Sequence, residues 1–154
     1  MDLDDRDYEI LAALQRDGSL TNAELAERVH LSPSACLRRV NLLKESGMIS
    51  GTHLILNQAK AGFEGTAYLF IALKGQDRNT LDAFEKAMIK VPHIQEAYLL
   101  AGQSDYLLRV VFRDMEDFER LHSEVITRLP GVERVQSTLT LRTVKRVTSL
   151  PLRD

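Results

Sequence analysis

The sequence lacks the features of secreted and membrane proteins. Its 154 residues include one cysteine, so no disulfide can form within the chain. No apolar run approaches the roughly 20 residues that a transmembrane helix needs. The first residues, MDLDDRD, are acidic, whereas a secretory signal starts basic and continues apolar. We therefore expect a soluble, cytoplasmic protein with no membrane partner.

The chain also lacks an excess of positive charge. Lys and Arg number 20 against 22 Asp and Glu, and the net charge is −2. Because many nucleic-acid-binding proteins are strongly basic, any binding to phosphates here must depend on where the cations lie. With 44% hydrophobic and 27% charged residues, the chain has the composition of a folded protein. Its length suits one domain or two small ones.

The first 50 residues predict three short helices. Thr21 and Glu24 have the spacing of a capping box, which predicts the start of the second helix. Ser32 followed by Pro33 predicts the start of the third helix, and Gly47 its end. The short connection between the second and third helices is typical of a helix-turn-helix domain.

The third helix separates an apolar face from a cationic one. Cys36, Val40 and Leu43 lie at i, i+4 and i+7 and predict a buried stripe, so we interpret the single cysteine as a core residue. A helix of this kind can enter the major groove, with outward residues on base edges and flanking cations on phosphates. The predicted DNA-binding residues are Ser32, Ser34, Leu37, Arg38, Arg39, Asn41 and Lys44.

Within that set we expect base contacts from Ser34, Leu37 and Arg38, and phosphate contacts from Arg39 and Lys44. The plainer interpretation is a three-helix packing unit with a solvated basic face, and the sequence leaves it open.

The remainder of the chain predicts a second domain with the order βαββαβ. The expected strands cover 66–74, 94–101, 105–113 and 132–145, and Asn79 and Asp114 are expected to cap the two helices between them. This order is that of the ferredoxin-like fold, an antiparallel sheet with both helices on one face. The predicted fold class is α+β, with a helix-turn-helix (winged-helix-like) domain at 1–50, a linker at 51–65 and the ferredoxin-like domain at 66–154.

Both faces of the predicted sheet carry apolar residues. In the first strand Leu69 and Ile71 point to one side, and Tyr68 and Phe70 point to the other. The helices of the domain can cover only one face, so a second subunit is the simplest cover for the other. We expect at least a homodimer, whose paired helices would bind a palindromic operator in double-stranded DNA.

Motifs along the whole chain resemble those of the Lrp/AsnC (feast/famine) family of transcription regulators. The resemblance is carried by the order and spacing of Leu31-Ser32-Pro33-Ser34, Arg38-Arg39-Val40, Gly47-Met48-Ile49, Gly102-Gln103-Ser104-Asp105-Tyr106 and Leu129-Pro130-Gly131-Val132. Such a protein is expected to join a DNA-binding domain to an amino-acid-sensing domain and to form dimers that assemble into octamers. Its effector, commonly an amino acid, is expected at a seam between subunits.

The resemblance implies an effector site at the turn Gly102-Gln103-Ser104-Asp105-Tyr106. Peptide N–H groups of the turn could hold the ligand carboxylate, and Asp105 could accept a hydrogen bond from its ammonium. Tyr98, Leu100 and Tyr106 could flank a side chain such as that of leucine or methionine. The polar side of the last strand in a neighbouring subunit, near Thr138 and Thr140, would complete the site. An ordinary hairpin turn capped by its aspartate is the plainer alternative.

Two other functions are open at this point. Some proteins with this two-domain layout are sirohaem decarboxylases, but the sequence offers no evident Arg/His-lined pocket for a tetrapyrrole. The four histidines, His30, His53, His93 and His122, have no metal-ligand spacing, so we expect no metal, no cofactor and no enzyme. The other alternative is an amino-acid sensor whose helical domain does not bind DNA.

Overall fold

The computed structural model describes residues 2–152, and the chain divides into two compact units. One unit is the described part of Met1–Ile55 and Lys145–Asp154, and the other is Leu56–Val144. The division differs from the predicted domains at the C-terminal end, because the tail returns to the first unit. There Leu150 and the Gln15 side chain exchange two hydrogen bonds, at 2.6 and 3.2 Å. None of the helices within residues 2–152 combines the length and the apolar character needed to cross a membrane.

Three helices form the first unit: α1 Asp5–Arg16, α2 Asn22–Arg28 and α3 Pro33–Glu45. The predicted capping box of Thr21 and Glu24 is confirmed at the start of α2. Ser32 caps α3 as predicted, since its hydroxyl accepts a hydrogen bond from the backbone N–H of Ala35 at 3.3 Å. The core of the unit consists of Ile10, Leu11, Ala13, Leu25, Ala26, Val29, Cys36, Val40 and Leu43.

The turn between α2 and α3 contains one residue with a left-handed backbone conformation and is closed by one hydrogen bond from a side chain. His30 has φ +53°, in the left-handed region that few residues other than glycine occupy. The amide of Asn22 in α2 donates to the carbonyl of Pro33 in α3 at 2.8 Å. These contacts fix α3 relative to α2, which confirms the predicted helix-turn-helix.

The second unit is a four-stranded antiparallel sheet with helices on one face. Its strands are β1 Gly65–Leu73, β2 Ile94–Leu99, β3 Tyr106–Phe112 and β4 Val132–Leu139, in the spatial order β2-β3-β1-β4. Helix α4 spans Arg78–Met88 between β1 and β2, and α5 spans Met115–Arg120 between β3 and β4. This topology confirms the predicted ferredoxin-like βαββαβ arrangement.

Three local predictions in this unit need correction. Asp77, not Asn79, caps α4, because the helix starts at Arg78 and the Asp77 carboxylate accepts from the N–H of Thr80 at 3.1 Å. The last strand ends at Leu139, opposite Ala67 near the start of β1, and not at 145 as predicted. The second helix is not α-helical throughout, since α5 continues directly into a π-helical turn over Leu121–Val125 and a 3₁₀ turn over Ile126–Arg128.

The side chains of β1 divide between the two faces of the sheet as predicted. Leu69 and Ile71 of β1 are fully buried against the helices. On the opposite face one row of side chains crosses all four strands, formed by Tyr98, Leu107, Phe70 and Gln136. We call this the open face of the sheet. Tyr98 is 52% exposed and Tyr68 38% exposed, so the open face presents aromatic side chains to solvent.

Candidate functional site

Helix α3 presents a polar outer face above an apolar inner one. Cys36 and Leu43 are fully buried and Val40 nearly so, which confirms the predicted buried stripe. The predicted DNA-contacting residues on the other side are solvent-exposed: Ser32, Ser34, Leu37, Arg38, Asn41 and Lys44. These exposed residues provide two hydroxyls, an amide, an apolar side chain and two cations along one helix. Groups of these kinds can contact base edges and phosphates.

Arg39, which is predicted to contact a phosphate, forms ion pairs within the chain. Its guanidinium does not project beside that of Arg38, because it forms ion pairs with Asp4 and Asp7, both at 2.8 Å. These two carboxylates raise the pKa of Arg39. Asp4 is the N-cap of α1 and forms a capping box with Asp7, so Arg39 ties α3 to the first turn of α1. No local sequence pattern indicates this contact, since it joins residues 32 or more positions apart.

The single cysteine lies in the core of the first unit. Cys36 is fully buried in the inner stripe of α3, and burial raises the pKa of its thiol. A thiol with a raised pKa and no access to solvent is a poor nucleophile. Cys36 therefore acts as a packing residue, as its position in the stripe indicates.

The turn between β2 and β3 is a four-residue loop with free donors. The N–H of Leu100 donates to the carbonyl of Asp105 at 2.8 Å and closes the loop over 101–104. Within residues 2–152, none of the four loop N–H groups donates a hydrogen bond. A Cβ built on Gly102 would meet nothing within 4 Å, so the loop is open to the approach of a ligand.

Asp105 directly follows this loop in the sequence. Asp105 is 8% exposed. Its Oδ2 accepts from the backbone N–H of Leu73 at 2.7 Å, and its Oδ1 accepts from the side-chain amide of Gln76, also at 2.7 Å. Its own N–H donates to the carbonyl of Ile71 at 2.8 Å. Asp105 therefore joins the loop to the end of β1, and Gln76 is a neighbour of the site that no sequence motif indicated.

The two predicted flanking tyrosines lie on opposite faces of the sheet. Tyr106 is 2% exposed and packs in the core on Phe84, with ring centroids 4.7 Å apart. Its hydroxyl donates to Glu85 at 2.7 Å, and burial together with this bond raises its pKa. Tyr98 points to the open face, opposite Leu107. The expectation that both rings flank one ligand side chain is therefore not met within one chain.

The predicted residues of the last strand lie away from the loop. Thr138 of β4 is opposite Tyr68 of β1. The residue of β1 that is opposite Tyr106, next to the loop, is Ile71, three positions after Tyr68. Three residues along a strand correspond to about 10 Å. Thr140 lies further still, with its N–H bonded to the carbonyl of Thr66. Within one chain these threonines and the loop form no common site.

The histidines do not gather into a metal site. No group of three or more His, Cys, Asp or Glu side chains in the described part of the chain is placed to hold a metal ion. Among residues 2–152, His93 is the histidine that lies near a carboxylate, with its Nε2 3.8 Å from Asp117. The ring of Phe63 lies between two side chains of this region, because it contacts the His93 ring and the guanidinium of Arg113.

Comparisons with known proteins match both units. Residues 3–50 match the family model described as winged helix-turn-helix DNA-binding, and residues 66–150 match the Lrp/AsnC ligand binding domain. The chain is 37% identical over 150 residues to the transcriptional regulator AzlB of Bacillus subtilis, covering 97% of this chain and 96% of that protein. It is 36% identical over 152 residues to the leucine-responsive regulatory protein of Escherichia coli, covering 99% and 93%.

A solved structure agrees with the whole chain. The crystal structure of a transcriptional regulator from Neisseria meningitidis in complex with L-methionine superposes with a TM-score of 0.94 at 34% identity, covering 98% of this chain and 97% of that one. A DNA-binding helix-turn-helix domain joined to a ligand-binding domain defines a ligand-responsive transcription regulator. The chain belongs to the Lrp/AsnC family of these regulators.

The contacts of Asp105 generate a prediction about stability. Asp105→Ala should lower the free energy of unfolding by about 1–3 kcal/mol, because the buried N–H of Leu73 loses its acceptor. Asp105→Asn retains an acceptor oxygen and should lose less. Urea unfolding of the full chain, followed by circular dichroism, measures both. Equal stability of the alanine variant and the native chain would show that these hydrogen bonds contribute nothing net.

Proposed function

We propose that this regulator binds a palindromic operator in double-stranded DNA through α3 and that an amino acid controls its assembly or its affinity for DNA. The observation that carries the proposal is the division of α3, which buries Cys36, Val40 and Leu43 and leaves Arg38 and Lys44 free in solvent. In this proposal Ser34, Leu37, Arg38 and Asn41 meet base edges, while Lys44 meets a phosphate. Ser32 contributes as the cap that fixes the first turn of α3.

Arg39 has a different role in this proposal. Its guanidinium is shared between two carboxylates, and a cation that is already neutralised gains little from a phosphate. We therefore propose that Arg39 is a positioning residue that holds α3 against α1. Arg38, one position earlier, forms no ion pair within residues 2–152 and is the cation available for a base.

Substitutions in α3 should separate base contacts from phosphate contacts. Arg38→Ala should weaken binding to the operator by about 1–3 kcal/mol and leave binding to unrelated DNA nearly unchanged. Lys44→Ala should weaken binding to all sequences alike and reduce the slope of log K against log salt by about one. Fluorescence anisotropy with DNA from the region upstream of the gene, over a salt series, measures both. The reversed pattern would refute the orientation of α3.

The same titration tests the role of Arg39. If Arg39 positions α3, then Arg39→Gln and Asp7→Asn should lower operator affinity by similar amounts, and the double variant should lose no more than either single one. The salt slope should stay native in all three. A slope reduced only in Arg39→Gln would instead assign the residue to a phosphate. Arg16→Ala, an exposed cation of α1, is the matched control for operator specificity.

The loop over 101–104 is the proposed effector site. Its free N–H groups can hold a carboxylate, and the carboxylate of Asp105, which follows them in the sequence, can accept from an ammonium. These are the two charged groups that every amino acid has. The methionine complex of the Neisseria meningitidis protein, with its TM-score of 0.94, supports methionine or a similar apolar amino acid as the ligand here. We assign the loop residues Gly102, Gln103 and Ser104 to the carboxylate, Asp105 to the ammonium, and Leu100 and Tyr98 to the approach.

A screen with the twenty amino acids tests the effector site. A ligand present at about 100 times its dissociation constant stabilises the folded protein by about 2.7 kcal/mol, which appears as a rise in the melting temperature. We expect this rise with methionine or leucine, and we expect Asp105→Asn to abolish it while keeping the acceptor for Leu73. If none of the twenty raises the melting temperature, the effector proposal fails.

We further propose that the open face of the sheet is covered by a second copy of the chain. Phe70 and Leu107 lie at its centre, and Tyr68 and Tyr98 are exposed around them. An apolar surface of this kind on a sheet is unfavourable in water, and a two-fold axis would cover it with its own equivalent. A dimer also brings two α3 helices to one operator. Thr138 and Thr140 of a neighbouring subunit would then complete the effector site, in assemblies as large as an octamer.

Sedimentation tests this interface. The native chain should sediment as a dimer or a larger assembly at micromolar concentration. Leu107→Glu should shift the protein toward the monomer, because it places a charged carboxylate at the apolar centre of the interface. Lys86→Glu on the exposed side of α4 changes the charge in the same sense and should leave the assembly intact. A native chain that is monomeric at this concentration would overturn the dimer.

A further inference from the structure

The buried carboxylates of this chain are not all compensated in the same way. Among residues 2–152, three acidic side chains are buried: Asp7, Asp105 and Asp117. Asp7 pairs with Arg39 at 2.8 Å, and Asp117 pairs with Arg120. Asp105 has no cationic group within 4.0 Å among residues 2–152. It is therefore the exception, a buried carboxylate without a counter-charge.

The hydrogen-bond partners of Asp105 are both neutral. A peptide N–H and a glutamine amide satisfy its two oxygens, but neither cancels its charge. Buried charges in proteins are ordinarily paired, since a charge away from water is costly without a partner of opposite sign. A cationic donor at this position would form a shorter and stronger bond than the neutral one that it replaced. The site therefore favours exchange of a neutral donor for a positively charged one.

The two partners differ in how easily they can leave. The N–H of Leu73 belongs to the end of β1, and its hydrogen bond to Oδ2 of Asp105 joins two buried residues. The amide of Gln76 belongs to a solvent-exposed side chain between β1 and α4, and its bond to Oδ1 is only partly buried. The Gln76 side chain can rotate into solvent without any change in the backbone. Oδ1 is therefore the exchangeable position.

We propose that the ammonium of the bound amino acid displaces the amide of Gln76 from Oδ1 of Asp105. The ligand carboxylate then takes the free N–H groups of the loop over 101–104, which immediately precedes Asp105 in the sequence. This inference rests on the proposed effector function and adds the group that the ligand must replace. Gln76 thus sets the affinity for the effector, because each binding event breaks one hydrogen bond of the free protein.

The displacement also alters the connection between β1 and α4. Gln76 is followed by Asp77, the cap of α4, and lies two positions after Lys74, whose N–H donates to the carbonyl of Gly131 at 2.8 Å. In the free protein the Gln76–Asp105 bond holds this connection to the effector loop. When the ligand is bound, the connection keeps its backbone contacts and loses that bond. The occupied and empty states of the site therefore differ at the start of α4.

Two substitutions of opposite effect test the inference. Gln76→Ala removes the competing donor, so methionine and leucine should bind about three- to tenfold more tightly, the effect of one net hydrogen bond. Gln76→Lys supplies an internal ammonium that occupies Oδ1, so the same ligands should bind at least about tenfold more weakly. Isothermal titration calorimetry of the full chain with each amino acid measures both. The same acids without the amino group, 4-(methylthio)butanoate and 4-methylpentanoate, should bind weakly to every variant.

The controls separate this inference from the proposal on which it rests. Gln95→Ala and Gln95→Lys change another exposed glutamine of the unit, whose amide donates to the carbonyl of Pro92 at 2.8 Å, and they should leave affinity unchanged. If the native chain binds no amino acid, both the effector site and the role of Gln76 are overturned. If the native chain binds and both Gln76 variants bind equally well, the role of Gln76 alone is overturned. The deaminated acids binding as tightly as the amino acids would overturn it too.

Discussion

A carboxylate can remain buried only if something compensates it, and this constraint organises both units of the chain. Asp7 is compensated by Arg39, and this ion pair joins helix α3 to the first turn of α1. Asp117 accepts from the backbone N–H of Arg113 and pairs with Arg120, which closes the start of α5 and holds the pKa of Asp117 below its usual value. Asp105 is satisfied by neutral donors alone. Asp7 and Asp117 are each paired with an arginine of the chain, whereas Asp105 has no cationic partner among residues 2–152 and is able to accept one from a ligand.

The parts of the fold that sequence can predict are those set by neighbours along the chain. Thr21 with Glu24 and Ser32 with Pro33 identify the starts of α2 and α3, because a cap depends on residues within one turn. The alternation along β1 places Leu69 and Tyr68 on opposite faces in the same way. The buried stripe of α3 is likewise visible in its spacing.

The parts that sequence misses depend on contacts between distant residues. Arg39 resembles Arg38 in the sequence, and only the ion pairs with Asp4 and Asp7 distinguish it from that exposed cation. Tyr106 appears in the motif as a neighbour of the ligand, but strand parity turns it into the core beside Phe84. Gln76 belongs to no motif, since its role arises from β1 and β3 meeting at Asp105.

The arrangement also explains how a chain with net charge −2 can bind DNA under control. With Arg39 neutralised, each α3 offers two free cations, and few phosphate contacts per subunit imply weak binding by one subunit alone. In the proposed assembly, binding to an operator would depend on several subunits acting together, because a second attached helix would meet its half-site at a high effective concentration. An effector that altered this assembly by about 1–3 kcal/mol would change how many helices act together. Weak binding by a single subunit would therefore make a modest ligand energy sufficient for the proposed regulation.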